Sequence, residues 1–142
     1  TILNLEQGRA HAQGCVLDHR IFVAPQLPFA ETDLCSLLTN LIDNALEAIQ
    51  RQNIANGVVE VGINQKNSAL YLCVLNPVDE QLGRETLLSL KTTKKDKTMH
   101  GYGVRIVDSI VQKYKGQISR SIENGKYRVD IMLDLRWAEN AS

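Results

Sequence analysis

The sequence lacks the features that would indicate a charged partner or a membrane. Its 142 residues carry 16 basic and 16 acidic side chains, so the formal net charge is zero and no general attraction to nucleic acid or anionic lipid is expected. No apolar run approaches the roughly 20 residues of a membrane span. There is also no GxxxxGK[ST] segment, which excludes a P-loop nucleotide site.

The cysteines and histidines do not form a recognisable metal or disulfide pattern. Cys15, Cys35 and Cys73 are odd in number, far apart and without a CxxC pair, and the three histidines are equally scattered. Cys35 and Cys73 fall in apolar segments, so we expect both to be small buried hydrophobes in a reducing compartment. No zinc site is expected.

The composition is that of one soluble globular domain. The chain is 44% hydrophobic and 23% charged, it is long enough to bury a core, and it contains no internal repeat or linker. We therefore expect residues 1–142 to form a single domain. Because the chain starts at Thr1 without a methionine, we expect it to be a fragment of a longer protein.

The hydrophobic periodicity predicts alternating helices and strands. Helix-type spacing covers 2–13, 32–50 and the segment after Gly103, and strand-type patterns cover 16–25, 58–65 and 69–76. The segment 116–135 is predicted to be a hairpin turning at Asn124-Gly125. This order predicts an α+β sandwich with helices on one face of a mixed sheet.

A polar stripe lies on the helix predicted for 32–50. Leucines, isoleucines and alanines fill one side of this helix, and Asn40, Asn44 and Glu47 fall within roughly 60° of each other beside them. A small polar group at a core boundary costs free energy unless something bonds it, and a ligand or metal is one such partner. Two internally bonded asparagines in a structural helix are the simpler interpretation of this pattern alone.

A basic and glycine-containing segment forms the second candidate site. KTTKKDKTMH carries four lysines against one acid, and His100, Gly101, Tyr102 and Gly103 follow it at the start of a predicted helix. Glycines allow close approach to a ligand, and free N–H groups at a helix N-terminus favour phosphate. A solvated loop and a plain turn remain alternatives. As a Rossmann fingerprint the segment fails because the third glycine is absent.

The third candidate is Asn76, at the end of the apolar strand ALYLCVLN. A carboxamide can accept a hydrogen bond from the amino group of adenine and donate one to a ring nitrogen. A turn residue before Pro77 is the alternative explanation.

Taken together, LLTNLIDNALEAI, the strand that ends at Asn76, and TTKKDKTMHGYGVRIV closely resemble the ATP-binding domain of sensor histidine kinases. That domain, of the two-layer Bergerat type with a mostly antiparallel mixed sheet, is shared with DNA gyrase, mismatch-repair ATPases and ninety-kilodalton heat-shock chaperones. More narrowly, the chain looks like the peptide-pheromone receptor kinases of Gram-positive quorum sensing. The resemblance extends over essentially the whole chain.

The resemblance implies a role for each candidate residue. Asn44 would be the Mg²⁺ ligand, Asn40 would face the phosphates or metal, and Glu47 would be a weaker contributor. Gly101 and Gly103, with Tyr102 between them, would present N–H groups to the phosphates. The lid over ATP would include Thr93, Lys94 and His100, and Asn76 would meet the adenine.

Two departures from the usual histidine kinase pattern accompany this resemblance. The DxGxG segment is replaced by LNPVDEQLG, so Asn76 stands where an aspartate is usual, a loss that the pheromone-receptor branch shares. It implies weaker nucleotide affinity or a degenerate site. In the hydrolysing relatives a glutamate general base precedes the metal asparagine by one turn; here that position is Asn40, which cannot take a proton at neutral pH.

The resemblance therefore implies a two-component kinase domain that binds Mg²⁺ and ATP and donates the γ-phosphoryl group to a histidine on a separate dimerisation domain. Its other partner would be a response regulator, with no nucleic acid or membrane contact by the domain itself. We expect a cytoplasmic domain of a membrane-anchored sensor, in which no catalytic residue and no phosphoacceptor histidine lies in this fragment. A non-catalytic nucleotide-binding or interaction module and a stand-alone ATPase are the alternatives.

Overall fold

The computed structural model describes residues 2–12, 14–22, 31–54, 56–79, 84, 102–134 and 136. Its elements follow the predicted order. The helices are α1 (Ile2–Ala12), α2 (Glu31–Arg51) and α3 (Tyr102–Lys113), and the strands are β1 (Val16–Phe22), β2 (Val58–Lys66), β3 (Ala69–Pro77), β4 (Gln117–Glu123) and β5 (Lys126–Asp134). The sequence DEQLGRETLLSL at 79–90 permits one further short helix, and this segment lies almost wholly outside the described residues.

The five strands form one mixed sheet in the order β1-β2-β3-β5-β4. Only β1 and β2 run parallel; the β2–β3, β3–β5 and β4–β5 pairs are antiparallel. The β4–β5 hairpin turns at Asn124 and Gly125, with φ angles of 53° and 73°. Two positive φ angles in a row characterise the turn that Asn-Gly favours, so the hairpin prediction is confirmed.

The core lies between the sheet and the helices α2 and α3. Alternate residues of β3 point into it, so Leu70, Leu72, Val74 and Asn76 are buried in a row. Asn76 is 3% exposed and is the only buried polar residue among those that the structure describes. Burial of a polar side chain at the end of an apolar row costs free energy unless it is bonded, so Asn76 is the natural candidate for a functional position in this layer.

Helix α3 runs back along α2, and polar contacts fix the two together at one end. Lys113 Nζ lies 2.8 Å from Asp33 Oδ2, and the hydroxyl of Tyr114 donates a hydrogen bond to the same oxygen. Burial raises the pKa of Asp33, but the hydrogen bonds from Lys113 and Tyr114 and the charge of Lys113 outweigh it and leave this pKa lowered. The opposite end of α3 is thereby directed towards the middle of α2.

The face of the sheet opposite these helices carries a groove of roughly 590 Å³. Gly62 and Cys73 lie beside one another on neighbouring strands in this groove, since they are cross-strand partners. Cys73 and Cys35 are only half-buried, and Cys15 is the buried cysteine. The prediction that Cys35 and Cys73 are buried was therefore wrong; Cys73 belongs to the strand face that points away from the helices.

Candidate functional site

Helix α2 places the predicted polar stripe on its surface. Asn40 and Asn44 are one turn apart and Glu47 follows three residues later, so their side chains share one side of the helix. Asn40 is half-buried, whereas Asn44 and Glu47 are exposed. Only Asn40 lies at the core boundary where the helical periodicity placed both asparagines. Asn44 and Glu47 face the solvent.

The side chain of Asn40 is oriented by its own helix. Its Nδ2 donates to the backbone oxygen of Ser36 at 2.7 Å. Because the carboxamide is planar, this bond directs Oδ1 away from the Ser36 carbonyl. A Cβ built on Gly103 would lie 2.7 Å from Oδ1 and 3.4 Å from Cγ of Asn40. The first turn of α3 therefore packs directly against Asn40, and a larger residue at position 103 would fit only if the Asn40 carboxamide moved.

This contact unites two of the three predicted candidate segments, although 63 positions separate Asn40 and Gly103 in sequence. Helix α3 starts at Tyr102, so its first backbone N–H groups lack intrahelical acceptors and lie next to Asn40. Such a helix end attracts anions through its N–H groups and the helix dipole. The predicted lid residues Thr93, Lys94 and His100, together with Gly101, lie outside the described residues.

The third candidate, Asn76, is held by a hydrogen bond to its own neighbour. Its Nδ2 donates to the backbone oxygen of Pro77 at 3.1 Å. Pro77 is the last residue of β3 and pairs with Lys126, so the carbonyl is carried by the end of a sheet strand. The proline thus ends the strand one residue later than the sequence suggested. The arrangement commits the amino end of the Asn76 carboxamide to the protein.

Gln52, the residue that follows the end of α2, also bonds to Pro77. Its Nε2 donates to the backbone oxygens of Ala48 at 2.8 Å and Pro77 at 3.2 Å, and its Oε1 accepts from the backbone N–H of Asp79 at 2.7 Å. The side chain therefore joins the end of α2 to the end of β3. No sequence signal identifies it, because its partner Pro77 is 25 residues away.

A further ion pair lies beside the stripe. Arg9 of α1 approaches Asp43, the residue before Asn44, with Nη1 and Oδ1 2.7 Å apart. Both groups are partly exposed, so the pair contributes little to stability. The contact shows that α1 lies beside the same part of α2. Within the described ranges, no three His, Cys, Asp or Glu side chains cluster so as to bind a metal ion.

None of the described helices is long and apolar enough to cross a membrane.

A family model described as a GHKL domain matches residues 30–134, which include both α2 and α3. The chain belongs to the GHKL-domain family. No curated protein is significantly similar to this GHKL domain in sequence.

Solved structures of histidine kinases share the fold. The nucleotide-free catalytic domain of histidine kinase ThkA matches with a TM-score of 0.70 and 16% identity, covering 94% of this chain and 86% of that one. A histidine kinase domain from Erythrobacter litoralis, of a blue-light activated kinase, matches with a TM-score of 0.70 and 16% identity. The match covers 99% of this chain and 62% of that one. Histidine kinase AdeS from Acinetobacter baumannii matches with a TM-score of 0.66 and 18% identity, over 94% of this chain and 61% of that one.

At these identities the likeness establishes the fold. The predicted α+β architecture, a mixed and mostly antiparallel sheet with helices on one face, is thereby confirmed as that of histidine kinase catalytic domains. The GHKL domain spans about three fifths of the length of the last two chains.

Proposed function

We propose that this GHKL domain binds Mg²⁺ and ATP between α2 and the start of α3 and donates the γ-phosphoryl group to a histidine on a separate dimerisation domain. The contact of Gly103 with Asn40 carries the proposal, because it joins a polar helix stripe to a helix N-terminus. The polar stripe supplies oxygen ligands for the metal, and the helix N-terminus supplies N–H donors for the phosphates. A triphosphate with its metal needs both.

The residues present fit Mg²⁺ with ATP. Asn44 is exposed and offers a hard oxygen for the metal, and the exposed Glu47 is a second donor on the same side of α2. Asn40 would face the phosphates, with the N–H groups at the start of α3 beside it. The metal would neutralise negative charge that develops on the transferred group. Thr93, Lys94, His100, Gly101 and Tyr102 are proposed to complete the phosphate side and the lid.

The chemistry of Asn40 favours transfer of the phosphoryl group over hydrolysis. A carboxamide cannot take a proton from water at neutral pH, and its Nδ2 is already bonded to the Ser36 carbonyl. The position one turn before Asn44 therefore lacks a general base. We propose no catalytic side chain among the described residues, because positioning and electrostatic stabilisation supply most of the rate enhancement in phosphoryl transfer.

The proposal extends to the longer protein. Structures sharing this fold come from histidine kinases larger than this chain, which supports a dimerisation domain carrying the phosphoacceptor histidine and a response regulator as partners. The proposed setting is a two-component system of the Gram-positive peptide-pheromone type, with this domain on the cytoplasmic side of a membrane-anchored sensor. The sequence LNPV at the end of β3 supports that branch.

Phosphotransfer to a separately supplied dimerisation domain tests the proposal. The chain is incubated with Mg²⁺ and γ-labelled ATP, alone and with that domain. We expect no label on this chain alone and acid-labile label on the histidine of the added domain. Steady phosphate release by the unmodified chain would support the alternative of a stand-alone ATPase. Release only after Asn40→Glu would confirm that the missing base is at position 40.

A further inference from the structure

The corner formed by Gln52, Asn76 and Pro77 is not part of the metal and phosphate arrangement. It lies where the C-terminal end of α2 meets the end of β3, while the contact with Gly103 is made three turns earlier on α2. Its hydrogen bonds join the side-chain amides of Gln52 and Asn76 to backbone groups, and both amides donate to the carbonyl of Pro77. These bonds set the orientation of a carboxamide. That orientation decides whether a nucleotide base meets a hydrogen-bond donor or an acceptor.

The Pro77 carbonyl accepts two hydrogen bonds from side chains. Asn76 Nδ2 lies 3.1 Å from it and Gln52 Nε2 lies 3.2 Å from it. A carbonyl oxygen has two lone pairs, so both donors can be accommodated together. The reversed orientation of Asn76 would bring Oδ1 against the Pro77 oxygen, and two acceptors repel. The shared carbonyl therefore fixes which end of the Asn76 amide is the donor.

Gln52 is the part of this corner that anchors the carbonyl. Both hydrogens of its amide are used, one on Ala48 at the end of α2 and one on Pro77, and its oxygen accepts from Asp79. Beyond the sheet, the chain at 78–79 is also held by the bond from the Val78 N–H to the Gly125 oxygen. Without Gln52, the Pro77 carbonyl would lose its link to α2.

We infer that Gln52 is a positioning residue for the base of the nucleotide and selects a 6-amino purine over a 6-oxo purine. The inference rests on the proposed function and on the role that the resemblance implies for Asn76, which would meet the adenine. With its Nδ2 held by the Pro77 carbonyl, Asn76 presents the oxygen at the other end of its carboxamide, as an acceptor. The exocyclic amino group of adenine is a donor and fits it, whereas the oxygen at the same position of hypoxanthine is an acceptor and does not.

Three ligands separate this role from a merely structural one. ATP and inosine triphosphate differ in the purine at the 6-position and its adjoining nitrogen, and tripolyphosphate has no base at all. Binding of each with Mg²⁺ is measured by calorimetry on the chain, on Gln52→Glu and on Gln52→Met. Glutamate keeps the acceptor for the Asp79 N–H but cannot donate to Pro77, and methionine has a similar length with neither function. Gln112→Glu, an exposed change near the far end of α3, is the matched control.

We expect both Gln52 variants to bind ATP about three- to tenfold more weakly, the effect of one ordinary hydrogen bond. Tripolyphosphate affinity should stay within about twofold and the preference for ATP over inosine triphosphate should shrink, with Gln112→Glu unchanged in all three. Equal losses for ATP and tripolyphosphate, or an unchanged purine preference, in either folded variant would overturn the inference. If the unmodified chain binds neither ATP nor tripolyphosphate, the proposed function itself fails.

Discussion

Replacing Gly103 by alanine tests the contact between α3 and the asparagine stripe. The added Cβ would lie 2.7 Å from Asn40 Oδ1, where ordinary contact begins at 3.4 Å, so the carboxamide must move by about 0.7 Å. That movement strains the 2.7 Å bond to Ser36. Overpacking costs about 1–3 kcal/mol and a lost hydrogen bond about 1 kcal/mol, against a gain of up to about 1 kcal/mol from the helix propensity of alanine. We expect a net loss of stability of about 1–3 kcal/mol.

Gly8→Ala in α1 is the matched control. Nothing lies within 4 Å of a Cβ at Gly8, so only the backbone effect of the substitution acts there. It should stabilise the protein by about 0.4–1 kcal/mol, the usual gain from Gly to Ala at a compatible site. Urea denaturation of the two variants should therefore give changes of opposite sign. Mg²⁺·ATP affinity should fall at least about tenfold in Gly103→Ala only. Stabilisation in both variants, with unchanged nucleotide binding, would refute the proposed contact.

Three further substitutions and titrations test other parts of the structure. Asn76→Asp, which introduces the residue usual in histidine kinases, should lower the free energy of unfolding at pH 7 by about 1–3 kcal/mol in urea denaturation, because a buried carboxylate oxygen would face the Pro77 carbonyl. As the control, the exposed Asn64→Asp should change stability by less than about 0.5 kcal/mol. Because the pKa of Asp33 is lowered in the folded protein, its ionised carboxylate stabilises the fold above the ordinary carboxyl pKa of about 4, and this stability is lost as the pH falls. Asp33→Asn should therefore be less stable than the parent chain at pH 7 and equally stable at pH 2–3. A difference in stability that persists at pH 2–3 would contradict this. Burial and the nearby Asp130 raise the pKa of Cys73 to about 11. Its alkylation at pH 8, measured by peptide mapping, should therefore be about tenfold slower than that of a free thiol. Equal alkylation rates would contradict this.

The sequence predicted those elements whose pattern is strictly local. The three- and four-residue spacing of apolar residues predicted α2 to within one residue at each end, and Asn124-Gly125 predicted the turn that joins β4 and β5. In both cases the determining residues are neighbours in the chain, so the signal can be read without knowledge of the packing. The sandwich followed from the order of these elements.

Strand β3 shows why side-chain orientation was harder to predict. Its sequence ALYLCVLN is apolar on both faces, so no alternation reveals that Asn76 points towards the helices and Cys73 away from them. The wrong expectation for Cys73 follows from this ambiguity. Periodicity can assign a face only where the two faces differ in polarity.

Contacts between distant segments were beyond the residue pattern. The approach of Gly103 to Asn40 depends on how α3 lies across α2, and the bonds of Gln52 depend on how α2 ends beside β3. A resemblance to a family could associate Asn40 with Gly103, but it gave no indication of Gln52. An amide at a helix end is common, and its importance arises only from the carbonyl that it meets.

Titration of Mg²⁺·ATP against the folded chain tests the central claim most directly. Calorimetry with a non-hydrolysable ATP analogue, repeated without Mg²⁺ and with Asn44→Ala, separates binding from turnover. The proposed site predicts saturable binding at or below millimolar nucleotide that weakens when either the metal or the Asn44 carboxamide is removed. A folded chain that binds no nucleotide at millimolar concentration, or binds it equally well without Mg²⁺ and Asn44, would contradict the proposed site.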